Sequence, residues 1–154
     1  MKNLQQQLLI EQLDKKIELL HKIDELIIPS EGWVHAIRKA MKMSLRQLGG
    51  KIGITAQSMK EIEQREKAKT ISLKTLNEVA RALDMKFVYG FIPKETTIEE
   101  IIEKRALEIA EGIVLRTSNT MQLEDQENSK SRIQKAIKNR AEEIKREMPK
   151  YLWD

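Results

Sequence analysis

The stretch Ser44-Leu-Arg-Gln-Leu-Gly-Gly-Lys-Ile-Gly-Ile-Thr-Ala-Gln-Ser-Met-Lys-Glu-Ile-Glu63 decides the fold. Ser44 and Thr55 are each N-cap residues, and each precedes apolar residues at three- and four-residue steps. Leu45, Leu48 and Ile52 mark one short helix, Met59 and Ile62 mark the next, and Ile54 lies between them. Two helices that cross near a right angle need a small residue at their closest approach, which Gly49 supplies. The join needs a residue tolerant of positive φ four positions later, and Gly53 is there. Caps, spacing and glycines together specify a helix-turn-helix.

Two flanking helices complete a bundle over 31–84. Pro29 stops what precedes it, Ser30 is the expected cap, and Trp33, Ile37, Ala40 and Met41 form the expected inner face of the first helix. After the pair, Ser72 caps a fourth helix with Leu73, Leu76, Val79, Ala80 and Leu83 inward. The intervening segment Glu66-Lys-Ala-Lys-Thr70 reads as a long loop without glycine. Glu63 and Arg65 are candidates for a salt bridge within the domain, with Gln64 solvated.

Further out, residues 3–28 read as a helix on the stripe Leu9, Leu13, Ile17, Leu20 and Ile27. Two uses are open: burial on its own domain, or a short coiled-coil seam with a partner. Residues 86–92, Lys-Phe-Val-Tyr-Gly-Phe-Ile, gather β-branched and aromatic residues, and Pro93 ends the run. A lone strand leaves its backbone unpaired, so the expectation is antiparallel pairing with the same strand of a second subunit, with Phe87, Val88, Tyr89 and Phe91 in the dimer contact. Thr97 caps a long helix to about Leu115, with Ile98, Ile101, Ile102, Ile109 and Ile113 on one face. A polar break, a helical turn over 121–126, and a last charged helix from Ser129 or Ser131 to about Met148 follow. That helix is marginal unless docked. The fold class is mostly α: an N-terminal helix (1–29), the helix-turn-helix domain (30–85), a strand (86–93) and a helical C-terminal region (94–154).

Composition narrows the function. The chain of 154 residues is 40% hydrophobic but only 4% aromatic, so its cores rest on Leu, Ile, Met and Ala. It has no cysteine, which removes disulfides and thiolate metal sites. His21 and His35 stand in different helices without a carboxylate cluster at ligand spacing, and Gly49-Gly-Lys-Ile-Gly53 lacks the strand and the Gly-Lys-Ser/Thr ending of a phosphate loop. Neither an enzyme nor a metal or cofactor site is expected. No membrane span or signal peptide is read, so the expected location is the cytoplasm. The net charge of +4 is unevenly placed: residues 31–93 hold twelve Lys/Arg against six Asp/Glu, while each flank is at −1. The basic part is where a polyanion would dock.

Ser44–Glu63, together with Ser72-Leu-Lys-Thr-Leu-Asn-Glu-Val-Ala-Arg-Ala-Leu83, resembles the Xre family of phage-type repressors. That resemblance implies double-stranded operator DNA as ligand, with the third helix in the major groove. It makes Ala56, Gln57, Lys60 and Glu61 the candidates for base contact: Gln57 for adenine, Lys60 for guanine, Glu61 for cytosine. Arg46, Gln47, Thr55, Ser58, Lys67 and Lys69 become the candidates for phosphate contact. The family often has glutamine where Ala56 stands.

Over nearly its whole length the chain also resembles the bacterial family called mobile mystery protein A. The residues that carry this are Pro29-Ser-Glu-Gly-Trp33, Phe87-Val-Tyr-Gly-Phe-Ile-Pro93, Thr120-Met-Gln-Leu-Glu-Asp-Gln126 and Leu152-Trp-Asp154. Members are encoded beside a Fic-domain protein, which implies an antitoxin-like partner that represses the shared operon. Tyr151, Leu152 and Trp153 are then candidates for partner contact, or for packing on the helix from 97. Many Fic inhibitors carry Ser or Thr, three residues, then Glu-Gly or Glu-Asn. Here Ile27, Leu107 and Leu123 occupy the Ser/Thr place, so any inhibition would use another contact. The alternatives are a plain Xre-type regulator whose C-terminal region only dimerises or senses a ligand, and an adaptor without a DNA role.

Overall fold

The computed structural model describes residues 2–94, 97–118 and 126–154. Its helices are α1 (Lys2–His21), α2 (Trp33–Ala40), α3 (Leu45–Ile52), α4 (Ala56–Ala68), α5 (Leu73–Ala82), α6 (Ile98–Ser118) and α7 (Gln126–Glu147), followed by a 3₁₀ turn at Lys150–Trp153. They divide into two compact units, one of residues 25–90 and one of residues 1–24 with 91–154.

In the first unit α2 to α5 surround a core of Val34, Leu48, Met59, Val79 and Leu83, with Ile37, Leu45, Ile52, Ile54, Ile62 and Leu76 against it. Leu48 and Met59 are fully enclosed, and burying each contributes about 1.5–3 kcal/mol. A Cβ on Gly49 would lie 2.8 Å from the Ile54 carbonyl oxygen and 3.1 Å from that of Thr55. The α3–α4 crossing therefore depends on that glycine. Ser44 and Gln47 form a full capping box on α3, and the Thr55 and Ser72 hydroxyls accept from Ser58 N and Thr75 N.

All four helices end alike. Lys42, Gly53, Lys69 and Asp84 take positive φ of 52°, 83°, 60° and 57°. In each case the next amide donates back toward the last turn: Met43 to Arg38, Ile54 to Gly49, Thr70 to Arg65 and Met85 to Ala80, at 2.8–3.0 Å. Glycine fills one of the four places. Because a Cβ in left-handed backbone costs about 1 kcal/mol or more, Lys69→Gly is expected to stabilise this unit by about 1 kcal/mol. A higher urea midpoint would show it.

Several expectations are corrected here. Glu66, Lys67 and Ala68 belong to α4, so the segment read as a long loop is mostly helix. The inner face of α2 is Val34, Ile37 and Arg38, while Trp33, Ala40 and Met41 face out. Gly32, rather than Ser30, is the N-cap of α2, and it has no side-chain cap of its own. Leu73 is exposed. No strand is present among the described residues, and 86–92 form neither helix nor ladder in the single chain.

The second unit packs α6 on α7 through Ile102, Ala106, Ala110 and Ile144, with small Ala106 and Ala110 letting the helices approach. The charged α7 is docked, as its marginal sequence requires: Ile137 and Ala141 join the core, as does Met148 just past its end, and Lys145 bonds Glu99 and Glu103 of α6. α1 packs Ile10 against this core, and its Ile17 is buried. The Asp14 carboxylate accepts from Ile98 N at 2.8 Å, capping α6 from a neighbouring helix, while Thr97 Oγ1 accepts from Glu100 N at 3.1 Å. α1 ends at His21 rather than running to 28, and Leu9 and Leu13 of the expected stripe are exposed. Ile27-Ile28 before Pro29 disfavours helix, since Pro pushes its predecessor to extended backbone. α7 is already helical at Gln126, ahead of either expected serine. The turn expected over 121–126 lies, up to 125, outside the described residues.

Candidate nucleic-acid interface

α4 is held from one side only. Met59, Ile62 and Glu63 face the core, and Ala56, Gln57, Lys60, Glu61 and Gln64 lie exposed along the opposite face. The base-contact candidates thus share one solvent-facing strip on a helix locked by its other face. Gln64, read as merely solvated, continues that strip by one turn. Its signal was the seven-residue spacing from Gln57.

The phosphate candidates divide. Arg46 is exposed at the start of α3. Thr55 and Ser58 sit at the N-terminus of α4, their hydroxyls 3.0 Å apart, where backbone amides and the helix dipole favour an anion. Gln47 is partly committed: its Oε1 accepts from Ser44 N at 2.8 Å, which leaves its amide NH₂ for a ligand. Lys67 donates to Glu31 at 2.9 Å across an exposed pair, and it holds the Glu31 carboxyl below the usual range by hydrogen bond and charge. Such a pair is worth little in water and yields to a phosphate at small cost. Lys69 is the left-handed C-cap of α4.

Behind the strip lies a buried ionic cluster. Arg38 Nε and Nη2 donate to Glu63 Oε2 and Oε1 at 2.7 and 2.9 Å, Nη1 donates to the Met43 carbonyl at 2.9 Å, and His35 Nδ1 lies 2.8 Å from Glu63 Oε1. Burial pushes the Glu63 carboxyl up. The hydrogen bonds from Arg38 and His35 and the charge of Arg38 outweigh it and hold the group below its ordinary value. Glu63 raises Arg38 in turn, chiefly through the hydrogen bond. Glu63 thus pairs with Arg38 and His35 of α2, and not with Arg65 as the sequence suggested. Nearby, the Glu66 carboxylate accepts from Val34 N at 3.1 and 3.4 Å and caps α2 from the far end of α4. The C-terminal half of α4 is fastened to α2 by charge, and its N-terminal half to α3 by packing.

Residues 34–87 match the Cro/C1-type HTH DNA-binding domain. No curated protein and no solved structure matches the chain. The match runs from α2 through α5 and takes in the exposed strip of α4, so this HTH domain is a DNA-binding domain of the transcription-regulator kind. Among the described residues no group of His, Asp and Glu is arranged to hold a metal ion, and no helix is long and apolar enough to cross a membrane.

Tyr151 and Trp153 are exposed, but Leu152 is fully buried in the core of the second unit. Arg105 fixes this turn, donating from Nε to the Leu152 carbonyl at 2.7 Å and from Nη2 to the Asp154 carbonyl. Leu152 therefore packs in this core, the second of the two uses open for it from the sequence.

Proposed function

We propose that the protein is a sequence-specific repressor of its own operon that binds operator DNA as a homodimer through α4. The observation that carries this is the polar strip Gln57, Lys60, Glu61 on a helix whose other face is fixed in the core of an HTH domain. Gln57 and Lys60 present bidentate and donor chemistry to base edges, with Glu61 as acceptor. Arg46, the Thr55–Ser58 helix start, and Lys67 and Lys69 neutralise phosphates and set the register. Gln57→Ala is expected to weaken operator binding by about 1–3 kcal/mol, roughly five- to 150-fold, with non-specific binding retained. A gel shift on the promoter of its own operon measures both, and equal binding of the variant would overturn the role of α4.

The full-length resemblance to mobile mystery protein A adds a finer reading: the protein is also the antitoxin-like partner of a Fic-domain protein. Tyr151 and Trp153 are the apolar side chains at the C-terminus left for that contact. Co-expression with the neighbouring Fic gene, pull-down and a shift of the shared promoter test it. A complex that still shifts the promoter supports an autoregulating antitoxin. A shift with no complex leaves a plain Xre-type regulator.

A further inference from the structure

We infer that residues 86–92 form an intermolecular two-stranded antiparallel ladder with the same residues of a second copy, in the register that sets Tyr89 opposite Tyr89. The inference rests on the dimeric operator-binding reading above and supplies the geometry of its dimer. Six aromatic residues occur in the whole chain, and Phe87, Tyr89 and Phe91 are three of them within five positions. Folding of the single chain leaves the middle of this segment in water: Val88 is 66%, Tyr89 70% and Phe91 84% exposed, with Phe87 and Ile92 half-buried. Exposed aromatic and β-branched side chains gathered in one short segment are what a contact surface offers.

The backbone is in the same condition. Past Met85, whose amide closes the end of α5, no backbone hydrogen bond engages residues 86–92 among the described residues. Seven residues of β-favouring sequence with free donors and acceptors are a template for another strand. The Phe87 and Tyr89 rings already stack, centroids 6.0 Å apart and planes at 23°, as side chains two apart do on one face of extended backbone.

Symmetry then selects the register. A two-fold axis at position 89 sets Phe87 opposite Phe91 on the aromatic face, with Tyr89 facing its own copy between them. Val88 opposes Gly90 on the other face, so the residue without a side chain meets the β-branched one. Opposed aromatic pairs are the favourable cross-strand unit, and Pro93, which lacks an N–H, closes the ladder. An occupant of any other sequence would forgo this self-complementarity.

The chain has no cysteine, so a single introduced thiol reports the register without background. Directly opposed Cβ atoms lie within disulfide reach, whereas residues at position 86 would be about six residues, roughly 20 Å, apart along the ladder. Under mild oxidation of the full chain, Tyr89→Cys is expected to cross-link into dimers and Lys86→Cys is not. Wild-type protein at micromolar concentration is expected to sediment as a dimer. Val88→Lys with Phe91→Lys, both at exposed positions, should give monomers with unchanged helix content. A monomeric wild type, or cross-linking as fast through position 86 as through 89, overturns the ladder. Promoter binding is measured on the same samples. A monomer that still shifts the promoter would sink the ladder and leave the DNA reading standing. A Tyr89→Cys dimer alongside a wild type that shifts no promoter would sink the DNA reading instead.

Discussion

Arg38→Ala is expected to destabilise the HTH domain by about 3–5 kcal/mol, a large part of what a domain of this size possesses. The guanidinium is buried, and it satisfies both oxygens of an equally buried Glu63 and the Met43 carbonyl behind the α2–α3 loop. Removing it leaves a carboxylate in the core with only His35 beside it, and orphans a carbonyl as well. The pair is not stabilising because it is ionic: replacing both members together, Arg38→Met with Glu63→Leu, should restore much of the loss. The acid limb follows from the same group. The Glu63 carboxyl is depressed in the folded protein, so its contribution is fully present above the ordinary carboxylate value. It is lost as pH falls through the lower folded value. Stability of α2–α5 should therefore drop below about pH 4.5, and Glu63→Gln should flatten that limb while lowering stability at neutral pH. Amide exchange of α2–α5 against urea and pH would reveal both effects. Wild-type-like protection in Arg38→Ala would sink the account.

That cluster also marks where the sequence ceased to be legible. Ser44, Thr55, Ser72, Gly49 and Gly53 announce their roles because only a few residue types can cap a helix, take left-handed backbone or permit a 2.8 Å approach. The exposed strip of α4 follows from the same periodicity that placed Met59 and Ile62 inside. Arg38 gave no such signal. A charged residue on an inner face is intelligible only with its counter-charge, and Glu63 is 25 positions away on another helix. The expected inner face of α2 omitted Arg38 and took in Trp33, Ala40 and Met41 instead. The helix ends at Lys42, Lys69 and Asp84 were hidden for the converse reason: each adopts a conformation that its residue type does not advertise. Likewise 86–92 reads as a strand by composition, but a ladder is a property of two strands. Its propensity is written in one chain, and its hydrogen-bonded partner is not among the described residues of that chain.

Gly32→Ala should be the most damaging change that removes no side chain. Gly32 is the N-cap of α2 at φ 93°, ψ 162°, a region essentially closed to residues with a side chain and costing about 1–3 kcal/mol to occupy. An added Cβ would also lie 2.6 Å from Glu66 Oε1. That oxygen belongs to the carboxylate that caps α2 through Val34 N. The glutamate can move aside, since it is the end of a flexible side chain, but in moving it gives up the cap, worth about 1 kcal/mol. Strain and lost cap together predict a loss of about 2–4 kcal/mol. Gly50 is the internal control. It lies inside α3, where an added methyl group would meet nothing within 4 Å, so Gly50→Ala should stabilise by about 0.5–1 kcal/mol. The two alanines differ only in place, and urea unfolding of both should move the midpoint in opposite directions. Equal shifts would mean that Gly32 is kept for something other than its backbone and its carboxylate neighbour.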